Sequence, residues 1–428
     1  MTANRDTGAP PDQPYVRSRQ AAEAQAVLNH IAKDFPDSPG AMRYFHELYR
    51  RVYCQGELVP HEGLLVGTTC AQVPEELIYA FGATPARLCS GFHNYARSGT
   101  DFMPATSCSL VKATLGMLSS KTAIPRIGKP DLIVNPTTCD QRTKSGAIME
   151  GMGYAVFDLE FPRSKESDAA RGYWQRSVRQ FAGRLRDLTG RKLTSKSLRE
   201  AIHRVSRAQA AFRRLHGFRR RAPSLILGKD AFLATNAYFF DNIETWTAAV
   251  EILNTELEQR EKAGFRAAQD NAPRVVFTGS PPVFPNLKLP LLFEESGGVV
   301  VADETCASNR MLYNMTVVDE WLVDDMMSSL ADKYLNPCSC PVFPRNEDRK
   351  RRLLDLVSQF RADGVIYQAF SGCHVHEMES RGVSEELNRA GIPMLYVETD
   401  YGPADKGQLC TRIEAFLELL KSKKRRHA

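Results

Sequence analysis

Ten cysteines occur in this chain of 428 residues, and eight of them fall at one kind of place. Cys70, Cys89, Cys139, Cys306 and Cys373 each close or follow a short β-rich run. Cys108 opens the helical pattern CSLVKATLGML, and Cys338 and Cys340 sit in NPCSCPVF. Only Cys54 and Cys410 fall within helical patterns. A single catalytic thiolate would need one cysteine and a base. Zinc favours a local pair of C-x₂-C knuckles, which this chain does not have. A disulfide framework belongs to exported proteins, and the N-terminal MTANRDTGAPPDQPYVRSRQ has no apolar core to direct export. Any one cysteine reads well as a small buried hydrophobe, but that does not account for eight at strand ends and helix starts. Iron–sulfur clusters do, because thiolates bind them and incomplete ligation leaves an iron open to a substrate. Helix N-termini add N–H groups that favour an anionic sulfur core.

The elements that must position these thiols occur twice. GLLVGTT (63–69), TPARLCS (84–90), DLIVNP (131–136) and YAVFDLE (154–160) form one series; RVVFTG (274–279), GGVVVADE (297–304), DGVIYQAF (363–370) and PMLYVETD (393–400) form the other. Each run is continuously apolar rather than alternating, as in parallel strands buried on both faces. Helical patterns intervene, such as PEELIYAFG (74–82), RKRRLLDLVSQFRADG (349–364) and SEELNRAG (384–391). The expected fold is α/β, with two flavodoxin-like (Rossmann-like) domains of about four parallel strands each. The first dozen residues, rich in Pro and Gly, are expected to be loose, and residues 17–53 read as helical. The organisation is then 1–58 extension and helices, 59–164 first α/β domain, 165–271 helical basic insert, and 272–428 second α/β domain with a C-terminal helix. Ligands in such sheets bind beyond the carboxyl ends of the strands, which is where the cysteines gather.

Hydrophobic residues at 43% and charged residues at 25% describe an ordinary globular chain. No run of about 18 apolar residues is present, so no membrane partner is expected, and the expected compartment is the cytoplasm. The net charge of +6 conceals a block from Arg163 to Arg221 with 18 basic and 4 acidic residues, leaving −8 for the rest. Within LTSKSLREAIHRVSRAQAAFRRLHGF the apolar residues keep helical spacing and the arginines take the other face. That pattern reads as a solvated helical face, or as a dock for an acidic protein or phosphate-bearing ligand. No aromatic interleaving or finger spacing supports a nucleic-acid partner.

At VPEELIYAFGATPARLCSG, CSLVKATLGML, DLIVNPTTCDQRTK, DGVIYQAFSGCHVHEMES and PMLYVETDYGPADKGQLCTRIEAFLELL the sequence resembles the 2-hydroxyacyl-CoA dehydratase D-component family. That family includes benzoyl-CoA reductase subunits and double-cubane cluster proteins. The resemblance covers roughly residues 60–160 and 272–420, without the extension or the insert. It implies that Cys108, Cys139 and Cys373 ligate the iron of a 4Fe-4S cluster. It further implies a cytoplasmic ATP-hydrolysing iron–sulfur activator protein as electron donor. In dehydratase members the electron reaches an acyl-CoA thioester, and a ketyl radical allows a poorly activated hydroxyl to leave.

The surplus thiols Cys70, Cys306, Cys338 and Cys340 resemble the double-cubane members most. Three of them would hold a second cubane, giving an 8Fe-9S cluster and low-potential reduction of a small-molecule substrate by a homodimer. The alternatives are an (R)-2-hydroxyacyl-CoA dehydratase or benzoyl-CoA reductase subunit in a heterodimer, and a non-enzymatic electron-transfer subunit. No GxxxxGK[S/T] phosphate loop occurs, so ATP would act only through the partner.

His374, His376 and Glu377 follow Cys373 directly and are candidate proton donors for a reductase; they also suit capping of the next helix. Lys112 reads as lending charge to a cluster or covering a helix surface. Glu398 and Asp400 end the last run, where they would orient a partner loop or bond to backbone. The acidic start of PEEL is read as helix-start chemistry alone.

Overall fold

The computed structural model describes residues 13–120 and 128–427. The first twelve residues, expected to be loose, lie outside the described residues.

Two four-stranded, all-parallel sheets carry the fold. The first contains β1 (Leu65–Thr68), β2 (Thr84–Arg87), β3 (Leu132–Pro136) and β4 (Val156–Leu159) in the order β2-β1-β3-β4. The second contains β5 (Arg274–Gly279), β6 (Val299–Glu304), β7 (Gly364–Phe370) and β8 (Met394–Thr399) in the order β6-β5-β7-β8. Both follow the flavodoxin-like winding, in which the chain reverses direction between the first and third strands and opens a crevice there. β1, β3, β5, β6 and β7 are buried along their whole length, whereas the edge strands β4 and β8 alternate or open to solvent. The eight strands match the eight apolar runs, which is why their continuous character was informative.

One hydrophobic core joins the sheets: Leu65 and Ile133 of the first belong to the same buried cluster as Val275 and Ile366 of the second. The turns beyond the carboxyl ends also meet, since the Gln141 side chain after β3 donates to the Gly372 carbonyl after β7 at 2.8 Å. The helix expected over 17–53 is divided. Gln13–Asp34 and Met42–Tyr49 are separated at Pro36 and Pro39, and a π-turn over Arg50–Cys54 follows. No helix among the described residues is long and apolar enough to cross a membrane.

The middle segment is helical: Asp168–Thr189, Ser195–Phe218, Gly228–Ala237 and Ile243–Lys262. Its arginines are exposed, as their pattern predicts, but several are paired. Arg207 meets Glu244 at 2.7 Å, Arg214 meets Glu251 and Glu258 at 2.6 Å each, and Arg221 meets Glu261 at 2.5 Å. These acids lie on the helix Ile243–Lys262, so much of the block's charge is matched within the chain. Arg219 is different, because it is buried and bonds Asp303 of β6 at 2.9 Å. Arg219→Met should therefore cost about 3–5 kcal/mol by stranding a buried carboxylate. Arg214→Ala, at an exposed pair, should cost less than about 1 kcal/mol. Denaturant midpoints of the two variants would show this ranking, and equal losses would contradict it.

Candidate functional site

Three helices begin at cysteines. Cys108 is the N-cap of Ser109–Ser119, Cys139 of Asp140–Gly151 after β3, and Cys373 of His374–Arg389 after β7. At an N-cap the first N–H groups lack helical partners and point at the capping side chain. The Leu110 and Val111 amides lie where they favour a thiolate at Cys108, as do the Arg142 amide at Cys139 and the His376 amide at Cys373. The neighbouring Cys373 thiol, with the helix amides, brings the Cys108 pKa down to about 7 despite burial. Cys108 and burial in turn push Cys373 well up. Burial raises Cys139 as well. Gln141 ties the three turns together: its Oε1 accepts the Cys108 amide and its Nε2 donates to the Gly372 carbonyl, each at 2.8 Å.

A second thiol group faces the first. Cys306 follows β6, and Cys338 and Cys340 lie on the turn after the helix Val323–Leu335. Burial pushes Cys306 up to about 12, Cys338 up to about 11 and Cys340 well above the ordinary thiol range. The Gln72 amide donates to Cys338 Sγ at 3.0 Å. Cys70 stands between the groups, within electrostatic reach of Cys139 on one side and of Cys306, Cys338 and Cys340 on the other. Cys89, which was not among the expected ligands, joins the second group near Cys306 and Arg87. Cys54 and Cys410 stay on helices, as expected.

Buried cations compensate these thiols. Arg87 faces Cys89, Cys70 and Cys306; Arg310 faces Cys340 and Cys306; Arg142 faces Cys108 and Cys139. Behind them lie buried carboxylates. Glu75 accepts the Tyr238 hydroxyl at 2.9 Å and lies 3.9 Å from Arg87. Glu76 pairs with Lys333 and accepts the Tyr334 hydroxyl at 2.9 Å. The acids of PEEL are thus more than helix-start residues: both are buried in charge pairs that support the chamber wall. Their partners lie far off in sequence, so the local pattern could not reveal them.

Among the described residues no three His, Cys, Asp or Glu side chains converge on a single metal ion. A cluster asks for a different arrangement, since each thiolate binds its own iron and the sulfurs stand farther apart. The donor set fits such an anionic, thiolate-bound group. Arg142 Nη1, Arg87 Nε and the Tyr401 hydroxyl are buried around the thiols without hydrogen-bond partners, and buried donors are normally satisfied.

A family model for the 2-hydroxyglutaryl-CoA dehydratase D-component matches residues 70–420. The chain belongs to this family. It is 29% identical over 359 residues to the provisional dehydratase subunit YjiM of Escherichia coli (strain K12), covering 83% of this chain and 91% of that protein. It is 24% identical over 365 residues to the beta subunit of the (R)-2-hydroxyglutaryl-CoA dehydratase of Acidaminococcus fermentans, covering 83% and 92%. A benzoyl-CoA reductase subunit of Thauera aromatica is 25% identical over 345 residues, covering 79% and 85%. The matched span of this D-component family member contains every cysteine of both thiol groups. The helix Gln13–Asp34 lies before it, whereas the insert 165–271, expected to lie outside the resemblance, falls within the matched span.

The proposed proton donors separate in this D-component chain. His374 is exposed on the first turn. His376 is buried beside the Tyr367 hydroxyl, 3.3 Å from its Nδ1, and burial followed by Arg349 and Arg310 holds its pKa well below the usual imidazole range. Glu377 accepts the Gly372 amide at 2.8 Å, closing the turn that carries Cys373. Lys112 is buried and donates to the Ala105 carbonyl in the loop before Cys108, so it shapes the turn instead of covering a surface. Asp400 accepts the Gly402 amide at 2.6 Å, the backbone role considered for it. Gly372 has φ +79°, and a Cβ there would stand 1.9 Å from the Thr106 carbonyl oxygen. Gly372→Ala should therefore destabilise by more than about 2 kcal/mol and part Cys373 from Cys108. Thermal midpoint and the alkylation rate of Cys108 would report this; an unshifted midpoint would refute it.

Proposed function

We propose that this protein is an iron–sulfur enzyme of the double-cubane type, performing ATP-coupled, low-potential reduction of a small substrate with electrons from a separate activator ATPase. The observation that carries the reading is that Cys70 lies within electrostatic reach of Cys139 on one side and of Cys306, Cys338 and Cys340 on the other. Cys108, Cys139 and Cys373 would hold one cubane, and three of Cys70, Cys306, Cys338 and Cys340 the other. When bound, such a centre supplies single electrons at low potential. The chain's own residues do the rest. Helix N-terminal amides and the guanidiniums of Arg87, Arg142 and Arg310 offset negative charge that water would otherwise solvate. Cys108 and Cys338 are buried and the other proposed ligands half-buried, which limits the access of solvent to a reducing centre. His374, exposed beside Cys373, is the residue best placed to receive a proton from solvent.

The names of the relatives favour a second reading, a dehydratase or benzoyl-CoA reductase component acting on a CoA thioester within a heteromeric enzyme. Anaerobic iron and sulfide analysis separates the two. About eight irons per chain in a homodimer supports the first, and about four per chain with a required second subunit supports the second. A protein that takes up no iron under reconstitution refutes both.

A further inference from the structure

Tyr401, just after β8, takes no part in holding the thiol-bearing turns. It is 6% exposed, and its ring packs edge-to-face on Phe370 with centroids 5.0 Å apart. Its hydroxyl is buried without a hydrogen-bond partner. Such a group costs about 1–3 kcal/mol when left unsatisfied, so its place calls for an acceptor. Tyr401 shares a buried cluster with Cys108 and Cys89, with Cys373 packed against it, and Cys306 and Arg142 lie within electrostatic reach. It is therefore close to members of both thiol groups. Arg142, on the same side of the chamber, also has an unpartnered nitrogen, Nη1. Two donors without acceptors thus border one space between two sets of thiols.

We propose that the Tyr401 hydroxyl, with Arg142 beside it, donates a hydrogen bond to the anion bound between the two thiol groups, and thereby tunes how readily the bound centre accepts an electron. The proposal rests on the iron–sulfur reading. Burial, followed by the nearby thiols, pushes the phenol well above its ordinary range. It therefore stays protonated at neutral pH and can act as a donor. An added electron makes the anion more basic, so a donor stabilises the reduced state more than the oxidised one. Removing the donor should make reduction harder.

The test uses the anaerobically reconstituted full-length protein and reads its midpoint reduction potential. Tyr401→Phe keeps the ring contact on Phe370 and deletes only the hydroxyl, so iron and sulfide content should match wild type. Its reduction equilibrium should fall by about threefold, equivalent to about 28 mV for one electron at 59 mV per decade. Replacing Tyr401 with a fluorotyrosine strengthens the donor and should move the potential the opposite way. An unchanged potential at full iron content overturns the proposal and leaves the iron–sulfur reading standing. Shifts of the same sign in both variants also overturn it. Loss of iron from Tyr401→Phe would make the residue a packing element and overturn it too. A wild-type protein that binds no iron overturns both readings together.

Discussion

Cys139→Ser protein, prepared without oxygen, should carry at most about half the iron of wild type and lose the corresponding sulfide-to-iron absorbance. Cys108→Ser and Cys373→Ser should do the same. The reason is shared: each of these cysteines caps a helix whose first amides favour a thiolate there, and an alkoxide in that place is a poorer iron ligand than a thiolate. Cys54→Ser and Cys410→Ser should retain the full iron content, since neither thiol enters the chamber. The Cys338/Cys340 double replacement is the discriminating member. If both thiol groups are occupied, it should remove about half the iron and leave a single cubane behind. An unchanged iron content would make the second group structural and transfer weight to the CoA-thioester reading. Full iron in Cys139→Ser would remove the basis of both.

Much of this arrangement was legible because parallel strands buried on both faces leave an unmistakable trace, a short continuous apolar run that ends at a turn. Cys70, Cys89, Cys139, Cys306 and Cys373 could be placed at strand ends for that reason. Local pattern could not show which thiols face one another. Cys70 follows β1 of the first sheet, yet its reach extends to Cys306, Cys338 and Cys340 of the second half, a relation created only when the sheets share a core. Charged residues were the harder class. Arg349 opens the helical pattern RKRRLL, which gives no sign that it is fully buried and meets Glu379 at 2.9 Å. The arginines of Ser195–Phe218 read as an open basic face because their acids lie on a later helix. A charged side chain looks exposed in sequence unless its partner is near in the chain, and here the partners are distant.

That buried network leads to the second large effect. Glu304, at the end of β6, is fully buried and binds Arg310 at 2.5 Å and Arg349 at 3.5 Å. It also accepts the Ser339 hydroxyl at 2.5 Å and the Thr278 hydroxyl at 3.0 Å. Ser339 lies between Cys338 and Cys340, so this one carboxylate anchors the turn that carries two thiols of the second group. Burial by itself would raise the Glu304 pKa, but Arg310 and Arg349 outweigh it and hold the group down to about 2, below its ordinary 4.5. A depressed carboxylate stabilises the fold above its unfolded pKa, and that contribution fades as pH falls from about 4.5 toward about 2. A shift of this size corresponds to roughly 3 kcal/mol. Glu304→Gln keeps the volume but strips buried Arg310 of its counter-charge and leaves Arg349 with Glu379 alone, so it should cost about 3–5 kcal/mol at neutral pH. The gap from wild type should close as pH is lowered through that window, because wild type then loses the same charge. At neutral pH the variant should also expose Cys338 and Cys340 to alkylation faster than Cys108. Denaturant midpoints measured across the acid range, with mass-resolved alkylation, provide the check. A stability difference that stays constant from neutral pH to pH 2 would show that the Glu304 charge does not hold this turn.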